Sequence, residues 1–592
     1  MPTIASPQPS AAVRWPFGMT ARWRWAAACA TVAAFAVALY APSVRGRLVW
    51  DDLALVGGDA IGGGDSLLNC FTRPFFYNYY RPLVSVAFYV QRLAWGMDPY
   101  GYHVVSVLLH AIAAVLVAAL ARSIAHSARA GFVAGLVFAA HPALVGAVAW
   151  IGGLTDALAT VALAACACAL VRSARARERW VGWAVAAWAA FAAAVLAKEQ
   201  TLAILPLVPL TFACFAPEGA RRRTGRGWAV TGAFLVVAVL YIAGAASIGV
   251  IHAGPGVPGA IGLVRRVALT TWHYGLVLLA PGPRVLNTYS LRFAEQQGAW
   301  AVAAGIGLAV AWAAAAAWLL RRRRPTGWLL AMALLLLVPV SNLVPLPFLL
   351  VAPYRAALAV VPLAAVAGIA AAHVPARALP AGVGALGLVL IWWSALDVTE
   401  TRTWWTEGRL FTTIVRHDPG AVIGRYMLGR LRVQEGRPAE AAPQYRAALE
   451  NLLGTHMWAD GEAVAAAMRA DTPFRRRVLQ NQGSRGDPLD FLTLLYVQLG
   501  FARLRSGNAP AAAQAFRAGE HLRPASPDLQ IGLGACDYLA GRPVEAERRL
   551  RAALAVEPGR ADAHRLLADV YARQGRWEEA RRESSLAEGT AP

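Results

Sequence analysis

The sequence predicts an all-α chain in two parts, a polytopic bundle of membrane-spanning helices followed by a water-soluble α-solenoid. Three observations carry that expectation. Hydrophobic residues make up 58% of the 592, with a mean hydropathy of +0.46, and they fall in long runs separated by arginine clusters. A soluble core of this size would alternate polar and apolar faces instead. From about Glu400 onward the runs stop and charged residues become frequent, which marks a change of solvent. In that charged tail Gly507, Gly541 and Gly575 recur every 34 residues, as do Pro524, Pro558 and Pro592.

In chain order, residues 1–24 are expected to form a cytoplasmic tail in which Arg14, Arg22 and Arg24 precede an apolar run from Trp25 to Pro42. The run is long and has no small-residue cleavage site before Arg45, so it reads as an uncleaved first span with its basic flank inside. A wet first loop, 43–102, follows. Further apolar runs lie near 103–122, 131–150, 153–171, 180–197, 200–216, 228–250, 299–320, 327–343, 355–373 and 379–396, giving about eleven spans in a membrane domain of 25–398. The arginine clusters 172–179, 221–226 and 321–324 all fall on the N-terminal side if 265–281 is interfacial or re-entrant. Counted as a full span, 265–281 would put Arg321 to Arg324 outside, against the positive-inside bias. The odd count then sets the first loop, the loop 343–354 and the C-terminal domain 399–592 together on the face opposite the cytoplasm.

Within the C-terminal domain, a small residue comes five positions after each periodic glycine, at Ala512, Ala546 and Ala580, where two helices must approach closely. This is a tetratricopeptide pattern. An earlier copy is visible in Gly436, Ala441, Tyr445 and Ala448 without the proline, whereas 451–490 fits poorly and reads as a divergent insertion. A single helix pair cannot bury its apolar face alone, so the copies should stack into a short solenoid whose concave face takes a protein or peptide segment. The same array also serves as a purely structural spacer.

Composition removes some function classes. The net charge of +22 does not point to nucleic acid, because most basic clusters abut apolar spans, where arginine and lysine fix topology. Of six cysteines, Cys29, Cys166, Cys168 and Cys214 lie inside apolar runs and only Cys70 and Cys536 in wet segments, so no disulfide framework or zinc spacing is implied.

The residues that carry chemistry begin with Asp51 and Asp52, about ten residues past the first apolar run. A carboxylate pair is costly beside lipid, so it is expected to face water and a polar substrate. The segment Phe75 to Leu83 joins aromatics to Arg81, as an interfacial helix beside headgroups would. The glycines Gly57, Gly58 and Gly62 to Gly64 do not follow a strand-turn-helix pattern and are no phosphate fingerprint. His141, Asp156, Lys198, Glu199, Asn342 and Arg355 cluster near the same predicted face, with a structural ion pair as a competing reading of Asp156 and the Lys198–Glu199 pair. His103 and His110 are seven apart and share a helix face, but two histidines without a third ligand are weak grounds for a metal. A divalent cation on Asp51 and Asp52 would need a third carboxylate, and no partner is close in sequence.

Taken in order, these residues resemble a family. Leu48-Val49-Trp50-Asp51-Asp52, Tyr80-Arg81-Pro82-Leu83, Gly101-Tyr102-His103 with Leu108-Leu109-His110, His141-Pro142, Ala147 to Ile151 with Asp156, Ala197-Lys198-Glu199-Gln200 and Pro339 to Leu343 look like motifs of the transmembrane and tetratricopeptide-repeat O-mannosyltransferases and their bacterial relatives. The resemblance covers nearly the whole chain, and its specificity lies in the ordered set. It implies a GT-C-type glycosyltransferase in which a first-loop aspartate, here Asp51 or Asp52, acts as general base or orients the acceptor. The sugar would come from a polyprenyl-phosphate carrier, with Arg81, Arg355 and then Lys198 as candidates to hold the phosphate. Tyr80, His103, His110, His141, Asp156, Glu199 and Asn342 would be supporting polar groups. No cofactor is required beyond a divalent metal that the sequence leaves open, and the expected location is a bacterial inner membrane with the repeats in the periplasm. The chain departs from the family at Leu144, Gly146 and Leu154, where a histidine, a glutamate and an arginine are usual, and at Tyr354, where a glutamate is usual. Those departures keep open two other readings: a non-catalytic envelope-assembly scaffold with a relict glycosyltransferase fold, and a lipid-linked glycan ligase or flippase.

Overall fold

The structure is a computed structural model that describes residues 21–58, 66–76, 79–216, 222–250, 260–290, 292–343, 351–454, 457–470, 475, 478 and 488–589. Among the described residues all regular secondary structure is helical, and the only β contact is an isolated antiparallel bridge between Phe75 and Tyr79.

Eight helical segments are long and apolar enough to cross a membrane: Ala21–Arg45, Pro99–Ala125, Ile151–Arg175, Trp180–Ala197, Gly225–Ser247, Ala299–Arg321, Pro353–Ala372 and Ala376–Thr403. A ninth is a broken pair, Ala128–Ala139 and Pro142–Ala149, bent by 53°. Pro142 explains the break, since proline has no N–H to continue the ladder. The two other runs in the predicted set take different forms. Residues 199–204 are a 3₁₀ turn, and Leu207–Phe215 is a helix of 9 residues, interrupted at Pro206. Pro325–Val340 is a shorter apolar helix. The segment expected to be interfacial or re-entrant contains the helix Ala260–Leu279, which carries Arg265 and Arg266 and packs along Ala299–Arg321.

Apolar side chains gain little by leaving lipid for protein, so close helix contact rests on small residues. At Gly305 a Cβ would come within 2.0 Å of the Ala268 carbonyl, and at Gly368 within 2.2 Å of the Ala130 carbonyl. These glycines let backbones touch.

The bundle has two chemically different ends. At one, Arg122 lies over Trp25 at 4.3 Å, Arg226 over Trp180 at 4.8 Å, and Arg175 donates to the carbonyls of Ser123 and Ile124. Arg129 donates to the Ala372 carbonyl at 2.5 Å. At the other end Arg47 N–H donates to the Trp405 carbonyl at 3.0 Å, and the Trp405 indole N–H to the Pro42 carbonyl at 2.9 Å. The first loop and the start of the C-terminal domain therefore meet at the end away from the arginine clusters.

Beyond Thr403 the helices pair as Val422–Gln434 with Pro438–Leu453, Pro488–Arg505 with Ala509–Glu520, Pro527–Leu539 with Pro543–Val556, and Ala561–Arg573 with Trp577–Glu588. Gly436, Gly507, Gly541 and Gly575 turn each pair with φ between 73° and 81°, a left-handed conformation that disfavours any side chain. Ala441, Ala512, Ala546 and Ala580 are buried between paired helices. In 451–490 the helix Gly461–Arg469 packs so closely on Ala518 that a Cβ on Gly461 would lie 2.3 Å from its carbonyl. All six cysteines are free, and Cys70 and Cys536, expected in wet segments, are buried.

Candidate active site

The two first-loop aspartates do different jobs. Asp52 was expected to face water, yet its side chain is fully buried, with Oδ2 accepting the Val49 N–H at 3.0 Å and Oδ1 the Gly152 N–H at 2.9 Å. Both oxygens are spent on backbone, so Asp52 ties the first loop to the turn before the Leu154–Arg175 helix. Burial pushes its carboxyl well above the usual range, against the pull of those two amides. Asp51 is only half-buried. Burial raises it to about 7, while Arg430 of the repeat domain pulls it down. A carboxylate that titrates near neutrality is suited to take a proton from a hydroxyl.

The loop is held by aromatic packing. Trp50 has φ 58° and stacks on Trp150 at 5.6 Å and on Trp404 at 6.3 Å, with Tyr289 and Phe411 edge-on at 5.8 and 5.9 Å. Its N–H donates to Glu407 Oε1 at 3.2 Å, and Glu407 lies 3.7 Å from Arg430.

Two ion pairs and a guanidinium lie at the same end. Lys198 Nζ donates to Asp156 Oδ1 at 2.5 Å, with both side chains buried. Arg81 forks onto Glu199, Nε to Oε2 at 3.0 Å and Nη2 to Oε1 at 2.7 Å, while its guanidinium lies over the Tyr79 ring at 4.0 Å. Burial pushes Glu199 up, but the charge and hydrogen bond of Arg81, the backbone and the Lys198 charge together outweigh it and hold Glu199 below its ordinary range. Arg355 lies among the phenols of Tyr354, Tyr274 and Tyr79, and Tyr354 is within electrostatic reach of both Asp156 and Asp51. Asp51, Tyr354, Arg355, Arg81 and Lys198 thus share one neighbourhood.

The remaining candidates hold the frame. Phe75 to Leu83 is not the expected interfacial helix: Phe75 bridges to Tyr79, and the helix begins only at Pro82, whose ring fixes a first-turn φ; residues 77–78 lie outside the described residues. The Tyr80 ring packs on Tyr241 at 5.6 Å, and its carbonyl accepts from the Tyr241 hydroxyl at 3.0 Å. His103 is buried against Gly46, where a Cβ would lie 2.7 Å from its Nε2. His110 Nε2 is 3.0 Å from the Ala139 carbonyl. His141 bridges Leu278 O and Ala143 N through its two ring nitrogens, at 3.0 and 3.2 Å. Asn342 Nδ2 donates to Thr270 at 3.0 Å. Among the described residues no three His, Cys, Asp or Glu side chains converge in a way that would hold a metal. Most of the glycine-rich stretch 57–64 and of the loop 343–354 falls outside the described residues.

The departures from the family pattern are all packed inside the bundle. Leu144 and Leu154 are buried in the core. Gly146 faces Tyr354, where a Cβ would meet the tyrosine Cβ at 3.1 Å, and the Tyr354 ring lies 5.4 Å from Trp150. A larger side chain at 146 and the tyrosine at 354 compete for one space.

Two tetratricopeptide-repeat family models match residues 409–468 and 538–585. A 155-residue stretch is 34% identical to protein O-mannosyl-transferase Tmtc1 of Drosophila melanogaster, covering 24% of this chain and 17% of that protein. Similar matches reach Tmtc2 of the same species, 32% identical over 24% of this chain and 16% of that one, and TMTC1 of Homo sapiens, 32% identical over 23% and 17%. The chain resembles the protein O-mannosyl-transferases. The matched stretch spans under a fifth of those relatives' length. A crystal structure of MamA protein aligns with 31% of this chain and 80% of its own at 17% identity and a TM-score of 0.23, too distant to bear on the site.

Glu407 and Arg430 were not foreseen as site residues. Each is an ordinary charge on a repeat helix, and only the fold brings it to a loop more than 350 residues earlier.

Proposed function

We propose that this chain is a membrane glycosyltransferase that moves one sugar from a polyprenyl-phosphate carrier to a hydroxyl of a protein or glycan on the extracytoplasmic face. The observation that carries the reading is the position of Asp51: half-buried on the first loop, facing Arg430 and Tyr354, with Tyr354 in turn beside Arg355. Its relatives' names, protein O-mannosyl-transferases, support the class of reaction.

In this reading the acceptor oxygen attacks the anomeric carbon from the face opposite the phosphate. The O–H proton passes to Asp51 as the new C–O bond forms. The bond from the anomeric carbon to the phosphate oxygen breaks, polyprenyl phosphate departs with the electron pair, and the anomeric configuration inverts. A positioned base supplies about 10²- to 10⁴-fold in rate. Charge grows on the departing phosphate, and preorganised cations there stabilise the transition state. Arg355 is the leading candidate for that role. Arg81 and Lys198 are each neutralised by a carboxylate, but Arg81 keeps N–H groups beyond the two given to Glu199, and Lys198 keeps two of its three. They are suited to orient the phosphate more than to attract it from afar. The repeats, on the same end as Asp51, would present the acceptor.

The test is sugar transfer from a panel of polyprenyl-phosphate sugars by the protein in nanodiscs, comparing wild type with Asp51→Asn. Transfer lost in the variant supports the reading. Donor binding without turnover in either protein replaces it with the scaffold.

A further inference from the structure

Three arginines cluster where the last span meets the repeat domain, at the end of the bundle that holds Asp51. Arg402 closes the last span, and Arg409 and Arg416 stand seven apart on one face of the next helix, Glu407–His417. With Thr403, Thr412 and Thr413 they line a cleft of about 380 Å³. The opposite face of that helix, Leu410, Phe411 and Ile414, is buried against the loop and its tryptophans.

The neighbouring carboxylates are engaged elsewhere. Glu400 accepts from Asn287 Nδ2 at 2.8 Å, Glu407 holds the Trp50 amide and Arg430, and Asp418 takes the Tyr289 amide and the Ser290 hydroxyl at 3.2 and 3.1 Å. Among the described residues none of the three arginines makes an ion pair, and Arg409 lies over the Trp405 ring at 5.1 Å, so the cleft presents positive charge that no carboxylate neutralises, edged by hydroxyls.

What lies beneath it is apolar. The Ala376–Thr403 segment is the least enclosed of the spans, 6% buried, with Leu388, Ile391 and Trp392 exposed on its outer side. At helical spacing Thr399 and Arg402 continue the side of the span that carries Leu388, Ile391 and Trp392, so the cleft and that apolar strip are contiguous. Arginine is suited to phosphate oxygens because its planar N–H fork matches them, and threonine hydroxyls add donors.

The geometry points to a lipid-phosphate site: the Arg402, Arg409 and Arg416 cleft binds the phosphate headgroup of a membrane lipid whose chain lies along the outer side of the last span. The site is separate from the Asp51 cluster and does not depend on transfer chemistry. Two lipids supply this chemistry, an anionic phospholipid and a polyprenyl phosphate.

The test titrates the purified full-length protein with phosphatidylglycerol, with a polyprenyl phosphate and with an oligoglutamate peptide, counting bound molecules by native mass spectrometry. In Arg402→Gln/Arg409→Gln/Arg416→Gln the affinity for at least one lipid should fall by roughly ten-fold or more, since each arginine at a surface contributes about a factor of five. Arg548→Gln/Arg565→Gln/Arg582→Gln, which removes the same charge from exposed positions on the repeats, should bind as wild type does. Thr413→Glu, which places a carboxylate in the cleft, should lose the same lipid without removing an arginine. Loss confined to phosphatidylglycerol assigns the site to bulk lipid, and loss confined to the polyprenyl phosphate assigns it to the carrier. Unchanged binding of both lipids, equal loss in the repeat-surface control, or loss of the peptide alone overturns the proposal.

Discussion

Glu407, on the first helix after the last span, accepts the Trp50 backbone N–H at 3.2 Å, and Trp50 is the residue before Asp51. Trp50 has φ 58°, a conformation costing a bulky residue about 1–3 kcal/mol, so something must hold it. Glu407 is one holder and the stack of Trp150 and Trp404 another. Glu407→Ala should therefore lower transfer by roughly ten-fold with donor affinity unchanged, because about 1.4 kcal/mol of misplacement has that effect on rate. Glu407→Gln keeps the acceptor oxygen and should retain most activity. A comparison of kcat with KM for the two variants checks this.

The pH profile of transfer reports on Asp51. A base must be deprotonated, so the rate should fall as pH drops through about 7. The groups facing Asp51 are Arg430, Tyr354 and Asp52. Arg430 lowers its pKa, so Arg430→Gln should move the acid limb to higher pH and Arg430→Lys should bring it back. Rates measured from pH 5 to 9 decide the matter.

Asp52→Ala should act on stability before chemistry. It strands the Val49 and Gly152 amides, both buried, and an unsatisfied buried donor costs about 1–3 kcal/mol. Asp52→Asn keeps one acceptor oxygen and should fall between. Thermal unfolding in detergent ranks the three.

The Lys198–Asp156 pair is buried on both sides. Removing one partner, as in Asp156→Ala, strands a charge and should cost about 3–5 kcal/mol. Asp156→Leu/Lys198→Met removes both charges and should recover most of that stability. If the pair also orients the donor phosphate, the double variant will fold and still bind the donor weakly, which a stability assay beside a binding assay separates.

Much of this architecture was legible in the sequence because it follows from local rules. The 34-residue recurrence of Gly507, Gly541 and Gly575 marks turns that need left-handed backbone, and those turns are where it put them. Asp51 and Asp52 stood out as a pair because carboxylates are rare beside apolar runs. Their division of labour was not legible, since it depends on the Gly152 amide a hundred residues later. The ion pairing of Arg81 with Glu199 was hidden for the same reason, and so was the approach of Glu407. The broken run at 199–215 failed as a continuous helix at Pro206, a signal that hydropathy alone does not weigh.

The bonds from Arg47 to the Trp405 carbonyl and from the Trp405 indole to Pro42 join the beginning of the membrane domain to its end. A ribosome delivers Asp51 early and Trp405 and Glu407 late. Until the last span has been inserted, the first loop has only its early hold on Gly152 and Trp150, and the contacts to Trp404, Trp405 and Glu407 that complete its seat around the candidate base come last. Maturation is thereby tied to completed synthesis: a chain stopped before residue 404 would keep the Asp52 tie to Gly152 but leave Trp50 without Trp404 and Glu407.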